Sequence, residues 1–246
     1  KYQLIQKGIM NNLNRIVASI AFLFSLVVYI MTMAPTTSFW DCGEFIATSV
    51  IMGVPHPPGT PFYLLLGNFF SQLPTFSDIG ARVNLISPIF SAFAVMFLYL
   101  IIVQLIEEWR GESKSFPDYL ITYGSALIGA LTFAFTDSHW FNAVEAEVYS
   151  ISTFFTSIVV WLILQWSKNS GHSGNVRYIL IIAYMFGLAI GIHLLNLLAL
   201  PFIALIVYFN KYEFKISTFL ATVGITLITF MIIYLGIIKG IPNLAY

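Results

Sequence analysis

Charged residues are scarce in this chain: Lys, Arg, Asp and Glu make up 9% of its 246 residues, whereas a soluble domain carries roughly 25%. The net charge is zero and no basic run occurs, so nucleic acid is not an expected partner. The single cysteine, Cys42, excludes an internal disulfide and a zinc site built on several thiolates. Hydrophobic residues are abundant at 59%, with 23 Phe, 13 Tyr and 5 Trp. This composition indicates a multi-span helical bundle with aromatic residues at the membrane interfaces.

Long apolar segments define the expected architecture, since a spanning helix needs about 20 mostly apolar residues. Five clear spans are expected at Ile16–Ala34, Leu85–Ile106, Tyr119–Thr136, Val148–Trp166 and Ile216–Ile238. The apolar segment 178–210 is too long for one crossing, and its central His193, Asn196 and Pro201 predict two short helices joined by a tight turn. The expected fold class is an all-α integral membrane protein with about seven transmembrane helices.

The distribution of basic residues predicts the orientation. With the N-terminus inside, most Lys and Arg residues lie in inner segments, as the positive-inside rule requires. The chain, residues 1–246, is expected to form a single transmembrane domain and to be the N-terminal part of a longer protein. Membrane lipids are therefore expected partners.

The first outer loop contains the most informative motif. The apolar segments Phe39–Met52 and Pro61–Leu73 are long enough for helices but too short or too polar to cross a bilayer. They are predicted to lie along the outer surface, separated by the Gly- and Pro-rich residues 53–59. Because carboxylates are costly beside lipid, Asp41 and Glu44 at the start of this loop are candidates for binding, catalysis or transport.

Asp41 and Glu44 are three residues apart and so share one helical face. A carboxylate in a partly dry pocket can take a proton from an attacking hydroxyl, which predicts a catalytic pair. The structural alternative is a helix cap formed by Ser38 and Asp41. His56, in a His-Pro-Pro-Gly turn, has a restricted backbone and could contact a phosphate or orient a carboxylate; alternatively, the turn only separates two surface helices.

The second outer loop supplies further candidates. Asn142, Glu145 and Tyr149 are spaced i, i+3 and i+7, which predicts a polar stripe on one helical face, with Glu147 off that stripe. The structural alternatives here are an N-cap at Asp137 or Ser138 and an interface anchor at Trp140.

Two later polar positions have mainly structural interpretations. His193 and Asn196 lie at the outer turn of segment 178–210, where a polar pair serves either helix–helix contacts or substrate binding. His172 lies in an inner Gly- and Ser-containing segment and is expected to be only solvated.

These motifs together resemble integral-membrane C-superfamily (GT-C) glycosyltransferases, and most closely a protein O-mannosyltransferase-like branch formerly known as a domain of unknown function. That branch shows D-x-G-E, H-P-P-G-x-P, R-x-N and A-x-x-x-E-V-Y in this order. The corresponding segments here are 41–44, 56–61, 82–84 and 143–149. The resemblance covers roughly residues 15–210.

The resemblance implies an inverting transfer of a sugar, mannose in the closest branch, from a polyprenyl-phosphate donor to a Ser or Thr hydroxyl of a protein acceptor. Asp41 would be the general base and Glu44 would hold sugar hydroxyls or the acceptor. His56, Arg82 and His139 are the candidate cations for the donor phosphate, and Asn142, Glu145 and Tyr149 would line the sugar pocket. The active site would face the extracytoplasmic or lumenal side of the cytoplasmic (inner) membrane or the ER membrane.

Other functions fit the same residues. Acids at helix ends could serve a multi-span transporter, and a non-catalytic membrane subunit could keep the fold without the chemistry. A related enzyme could move a whole glycan or a phospholipid head group with a divalent cation held by outer acids, for which the candidates are Asp41, Glu44, Asp137 and Glu145. No spacing requires a metal, so neither a metal nor another cofactor is expected.

Overall fold

The computed structural model describes residues 2–57, 59–111, 113, 115–169 and 175–240, with side chains from Gly8 onward, and the regular secondary structure of these residues is all helical. The helices are α1 (Tyr2–Thr32), α2 (Cys42–Ile51), α3 (Pro61–Ser71), α4 (Ile79–Asn84), α5 (Ile86–Arg110), α6 (Phe116–Ala134), α7 (Asp137–Ala143), α8 (Val148–Lys168), α9 (Val176–Ile190), α10 (Ala199–Lys211) and α11 (Ile216–Met231). A 3₁₀ segment, Leu194–Leu198, leads into α10, and α11 continues as a π-helix over Ile232–Gly240.

Five helical segments are long and apolar enough to cross a membrane: Gly8–Thr32, Ile79–Arg110, Val148–Lys168, Leu194–Lys211 and Ile216–Gly240. A sixth is formed if α6 and α7, which are bent by 69° relative to each other, count as one span. The predicted all-α integral membrane fold is confirmed. The predicted seventh span requires α9, whose 15 residues extend about 22 Å, short of a hydrocarbon core of about 30 Å.

The predicted division of segment 178–210 is confirmed. Helix α9 ends at Ile190, the chain turns through Gly191 and Ile192, and the 3₁₀ segment begins at Leu194. His193 caps that segment, because its Nδ1 accepts a hydrogen bond from the Leu195 N–H at 3.1 Å. The polar pair at the middle of this apolar stretch therefore marks the turn.

Helices α5 and α8 form the centre of the bundle. They pack against each other, with α1 and α6 against one side of α5 and α9 and α10 against α8. Small buried residues such as Ala92, Ala126 and Ala130 bring α5 and α6 close together. The Ile216–Gly240 span, in contrast, is largely exposed. The most closely packed part of the molecule is therefore the group of helices around α5 and α8, whose ends carry the two outer loops.

The two helices predicted between the first two spans are present as α2 and α3; this connection and the one between α6 and α8 are called the first and second outer loop after their predicted side of the membrane. Helices α2 and α3 pack tightly at Gly67, where a Cβ atom would overlap the Ser49 side chain. Pro61 occupies the first position of α3, where its missing N–H costs no helical hydrogen bond. The turn between these helices brings His56 back towards the start of α2. The structure describes this turn except for Pro58, which lies outside the described residues.

Candidate active site

Asp41, Glu44 and His56 form one cluster in the first outer loop. One nitrogen or oxygen atom from each lies within 4.8 Å of the others. Glu44 binds His56 through both carboxylate oxygens: Oε1 accepts the His56 backbone N–H at 2.7 Å, and Oε2 lies 2.7 Å from Nδ1. These hydrogen bonds raise the pKa of His56 and lower that of Glu44. The pair is solvent-exposed, so it fixes the direction of the ring more than it stabilises the fold.

Both oxygens of Glu44 bind His56, so Asp41 is the carboxylate of this cluster that can still bind a proton or a ligand. It stands immediately before α2, yet its side chain makes no capping hydrogen bond, which excludes the structural alternative for this residue. The side chain is exposed. Among the described residues no hydrogen bond to its carboxylate is found, so both oxygens can accept a proton or a ligand.

Asn84 fixes the backbone around Asp41. Its Nδ2 donates to the carbonyls of Ala34 at 2.8 Å and Thr36 at 2.9 Å, and its Oδ1 accepts the Ala146 N–H at 3.0 Å. Asn84 is fully buried. One side chain at the end of α4 thus joins the segment before α2 to the segment before α8. It is the last residue of the R-x-N motif, of which the sequence analysis gave a role only to Arg82.

The segment joined to Asn84 carries two buried carboxylates, Glu145 and Glu147, which are 2% and 5% exposed. Burial raises the pKa of Glu147 to about 7, and the charges of Asp41 and Glu145 act in the same direction, whereas His56 opposes them. Oε1 of Glu145 has no hydrogen-bond partner among the described residues. The cluster around Asp41 therefore extends into the second outer loop.

Tyr63 closes the buried side of this cluster. It packs with Cys42, Phe45 and Val148, and its hydroxyl has no hydrogen-bond partner among the described residues. Burial raises its pKa, and the charge of Glu147 adds to the increase, so Tyr63 stays a neutral hydroxyl donor near that carboxyl. Cys42 lies on the same wall, with its Sγ 3.7 Å from Asn84 Oδ1.

The predicted polar stripe of Asn142, Glu145 and Tyr149 is wrong. Helix α7 ends at Ala143 and α8 begins at Val148, so these residues do not share one helical face. Glu147 has extended backbone angles of φ −135° and ψ 145°. The helix breaks here because the Val144 carbonyl accepts the Ala34 N–H, while the Ala146 N–H binds Asn84. Contacts to other segments replace the helical hydrogen bonds.

Three predicted binding residues, His139, Asn142 and Tyr149, line a separate cavity of about 260 Å³. Asp41, Glu44 and His56 are not among the residues described around it. His139 is buried, with its ring 4.3 Å from that of Phe133, and Tyr149 packs against the His193 ring at 5.0 Å. The predicted substrate roles of His139, Asn142, Glu145, Tyr149 and His193 stay predictions.

The last two predicted binding residues, Asn196 and Arg82, use their polar side-chain atoms in hydrogen bonds within the protein. Asn196 donates to two backbone carbonyls and accepts from Ser152 and Thr156, so it joins α8 to the turn after α9. Arg82 donates through Nε to the Phe76 carbonyl at 2.6 Å, and its other nitrogens contact the Ser71 and Ser77 carbonyls. Their substrate roles also stay predictions. His172 lies outside the described residues.

The helix cap predicted in the second outer loop is formed by a different residue, and Trp140 makes a specific contact. Thr136, rather than Asp137 or Ser138, is the N-cap of α7. The Trp140 indole donates a hydrogen bond to Thr32 at 3.0 Å and thereby holds α7 against the end of α1.

Sequence reasoning missed Glu147 as a member of the site. Its position off the supposed helical stripe counted against it, although a carboxylate directly before a spanning helix was visible in the sequence. The cluster in the structure thus contains the exposed carboxylate of Asp41, the oriented imidazole of His56 and the buried acid Glu147. The three atoms of Asp41, Glu44 and His56 could also hold one metal ion.

Comparisons with known proteins identify a family for this chain. The family model "Protein O-mannosyl-transferase TMEM260 N-terminal domain" matches residues 41–216, which include both outer loops. The protein O-mannosyl-transferase tmem260 of Dictyostelium discoideum is 28% identical over 195 residues, covering 74% of this chain and 22% of the relative. The TMEM260 protein of Mus musculus is 25% identical over 163 residues, covering 66% of this chain and 21% of the relative.

The chain thus spans about a fifth of the length of these two relatives. No solved structure matches it. The family model covers well over half of the chain and includes every residue of the Asp41 cluster, so the chain belongs to the TMEM260 N-terminal domain family, a family of protein O-mannosyl-transferases.

Proposed function

We propose that this chain is the donor-binding and catalytic membrane part of a protein O-mannosyltransferase that uses a polyprenyl-phosphate sugar. The observation that carries the proposal is the Asp41 carboxylate, which is exposed, makes no capping bond, and lies within 4.8 Å of an oriented imidazole. The family membership supports the reaction class. The acceptor is a Ser or Thr hydroxyl, and the membrane face is the extracytoplasmic or lumenal one, with the N-terminus inside.

The reaction needs a base for the acceptor and a cation for the leaving group. Asp41 takes the proton of the acceptor hydroxyl while its oxygen attacks the anomeric carbon. The bond between that carbon and the phosphate oxygen breaks, and the polyprenyl phosphate leaves with the electron pair. Attack from the face opposite the phosphate inverts the anomeric centre. Because a phosphate leaves without protonation, one carboxylate is enough, unlike the pair used by glycosidases.

His56 is the residue we assign to the donor phosphate. Its Nδ1 is held by Glu44, and the raised pKa of the ring favours the imidazolium, which can donate from its other nitrogen, Nε2. Both oxygens of Glu44 bind His56, so Glu44 orients the cation rather than the sugar. Glu147, neutral below a pKa of about 7, adds no charge against the phosphate at mildly acidic pH.

The test is transfer from radiolabelled polyprenyl-phosphate mannose to a Ser/Thr-rich peptide by the purified chain. Asp41→Asn should reduce the rate about 10³-fold, the range for loss of a general base. Asp137→Asn is the matched control, because Asp137 is an exposed aspartate of the second outer loop, and it should transfer normally. Near-normal transfer by Asp41→Asn would exclude the base assignment.

Metal binding at the same cluster is a second candidate, favoured by the proximity of one nitrogen and two carboxylate donors. If Asp41 acts as the base, dialysis against EDTA leaves transfer unchanged. Loss of transfer with EDTA and recovery with Mn²⁺ would instead make Asp41 a metal ligand. An Asp41-dependent ion flux in proteoliposomes, without sugar transfer, would favour the transporter alternative.

A further inference from the structure

A polar cavity of about 430 Å³ lies at the opposite end of the bundle from Asp41. Its walls come from α1, α5, α6 and α8. Glu107, on its rim, is 21 residues along α5 from Ile86, a distance of about 32 Å along the helix axis. The cavity is therefore a separate site at the other membrane interface, and none of the proposed chemistry uses it.

The charges around this cavity leave one cation unpaired. Lys168 Nζ lies 3.5 Å from Glu107 Oε2, so these two charges compensate each other. The guanidinium of Arg15, which also lines the cavity, has no hydrogen bond or ion pair with the residues that the structure describes; the residue's one side-chain contact is the Ser19 hydroxyl, which donates to the Arg15 carbonyl. The planar guanidinium presents several donors in a geometry that matches phosphate oxygens. The lining therefore has a net single positive charge carried by a phosphate-type donor.

Amide groups add further donors beside Arg15. Asn14 Oδ1 accepts the Tyr99 hydroxyl at 2.8 Å, which holds the Asn14 side chain in one orientation. Its amide nitrogen has no partner among the described residues and can donate to a ligand. Gln165 donates to Gln104 at 2.9 Å, and Gln104 donates to Glu108 at 2.8 Å. Polar side chains inside a helical bundle are costly beside lipid and usually have a ligand or partner.

The deeper wall of the cavity is apolar. Leu100 and Val103 lie one to two turns further into the bundle along α5 than Glu107. Trp161 lies two turns before Lys168 on α8, and its ring packs 5.5 Å from Phe97. A ligand that fills this cavity would contact cationic and amide side chains at the rim and apolar side chains deeper in the bundle. This profile suits an amphiphile better than a free ion.

We propose that this cavity binds the monoanionic phosphodiester head group of a membrane phospholipid, with Arg15 as its principal contact and the acyl chains along Leu100, Val103 and Trp161. Basic pockets between spanning helices are known to hold lipid phosphates. Inorganic phosphate shares the anionic chemistry but cannot use the apolar wall. The proposal is independent of the transferase assignment, since it uses no residue of the Asp41 cluster.

Native mass spectrometry of the detergent-purified chain tests this proposal. Phosphatidylglycerol should be retained at one site with an affinity about tenfold above that of phosphatidylcholine, which has the same phosphodiester but no net charge. Arg15→Gln should reduce phosphatidylglycerol retention about tenfold. Arg110→Gln is the matched control, because Arg110 ends α5 at the same end of the bundle and does not line the cavity. It should bind like the wild type.

Two outcomes would overturn the proposal. Equal retention of phosphatidylglycerol by Arg15→Gln and Arg110→Gln would show nonspecific lipid association. Displacement of the lipid by millimolar inorganic phosphate would make the site one for a free anion. Should Arg15→Gln fail to fold, Lys168→Gln provides the second variant: it leaves the Glu107 carboxylate uncompensated and so removes the net positive charge of the lining, and phosphatidylglycerol retention should again fall about tenfold. Equal unfolding temperatures of variant and control ensure that the comparison concerns binding.

Discussion

The two outer loops present the same chemical group in opposite surroundings. In the first loop the Asp41 carboxylate is exposed and makes no capping bond. In the second loop Glu145 and Glu147 are almost completely buried, and burial together with neighbouring charges raises the pKa of Glu147 to about 7. The difference shows how surroundings distinguish two carboxyl groups: that of Asp41 is exposed to solvent and ligands, whereas that of Glu147 is kept largely protonated at mildly acidic pH.

Asn84 helps to hold the two loops, and so their carboxylates, in contact. Asn84 contacts the backbone before α2 and the backbone before α8 with three hydrogen bonds, all from a fully buried side chain. Buried backbone groups that lose their partners cost about 1–3 kcal/mol each. Asn84, together with the hydrogen bond from the Ala34 N–H to the Val144 carbonyl at 2.8 Å, therefore keeps Asp41 close to Glu147.

Asn84→Ala should have the largest effect of the changes considered for this comparison. Loss of the three hydrogen bonds should lower the free energy of unfolding by about 3–5 kcal/mol and reduce sugar transfer sharply, because the contact between the two loops is weakened. Thermal unfolding in detergent, with the transfer assay on the folded fraction, measures both. Asn68→Ala is the control, since the Asn68 amide bonds only within the first loop: it donates to two carbonyls of α2 and accepts from Gln72. Equal unfolding temperatures for the two variants would contradict the assigned role.

Glu147→Gln tests the difference between the two loops through the pH dependence of stability. The raised pKa of this carboxyl means that the folded protein holds a proton which the unfolded chain releases, so stability falls as the pH rises from about 4.5 to 7. At 1.36 kcal/mol per pKa unit, the loss amounts to about 3 kcal/mol. Glutamine removes this loss, so the variant should be more stable than the wild type at pH 8 and equal to it near pH 4.

Unfolding temperatures measured at both pH values check this expectation, with Asp137→Asn as the exposed control that should show no such difference. A wild-type protein that gains stability relative to Glu147→Gln between pH 4.5 and 8 would show that the carboxyl is stabilised in its charged form. Glu147 would then not be kept protonated by burial, and the proposed difference between its carboxyl and that of Asp41 would no longer hold.

Arg82→Gln should have the smallest effect and concerns the first loop alone. Its guanidinium is occupied by loop carbonyls, so removal should cost about 1–2 kcal/mol of stability. The KM for the lipid donor should change less than about twofold, because the phosphate contact is assigned to His56. Steady-state kinetics against donor concentration makes the measurement. A tenfold rise in KM at unchanged unfolding temperature would instead assign the donor phosphate to Arg82.

Much of the fold could be predicted because apolar length and turn residues are local properties. The spans, the two helices of the first outer loop and the break at His193 and Asn196 follow from hydrophobic runs and their interruptions. The prediction for residues 142–149 was wrong because helical spacing was assumed to continue. Hydrogen bonds to Ala34 and Asn84, distant in sequence, interrupt that helix. No periodicity within the segment could show them.

The sequence alone determined that this is a helical membrane protein with acids in two of the loops between its spans, since solvation in a bilayer depends on composition and segment length. It also supplied Asp41, Glu44 and His56 as one motif. The tertiary structure decided which carboxylate stays available, because that depends on partners: Glu44 binds His56, Glu147 is buried, and Asp41 makes no capping bond. Hydrogen bonding and desolvation arise between segments remote in the chain, so only the folded arrangement could assign these roles.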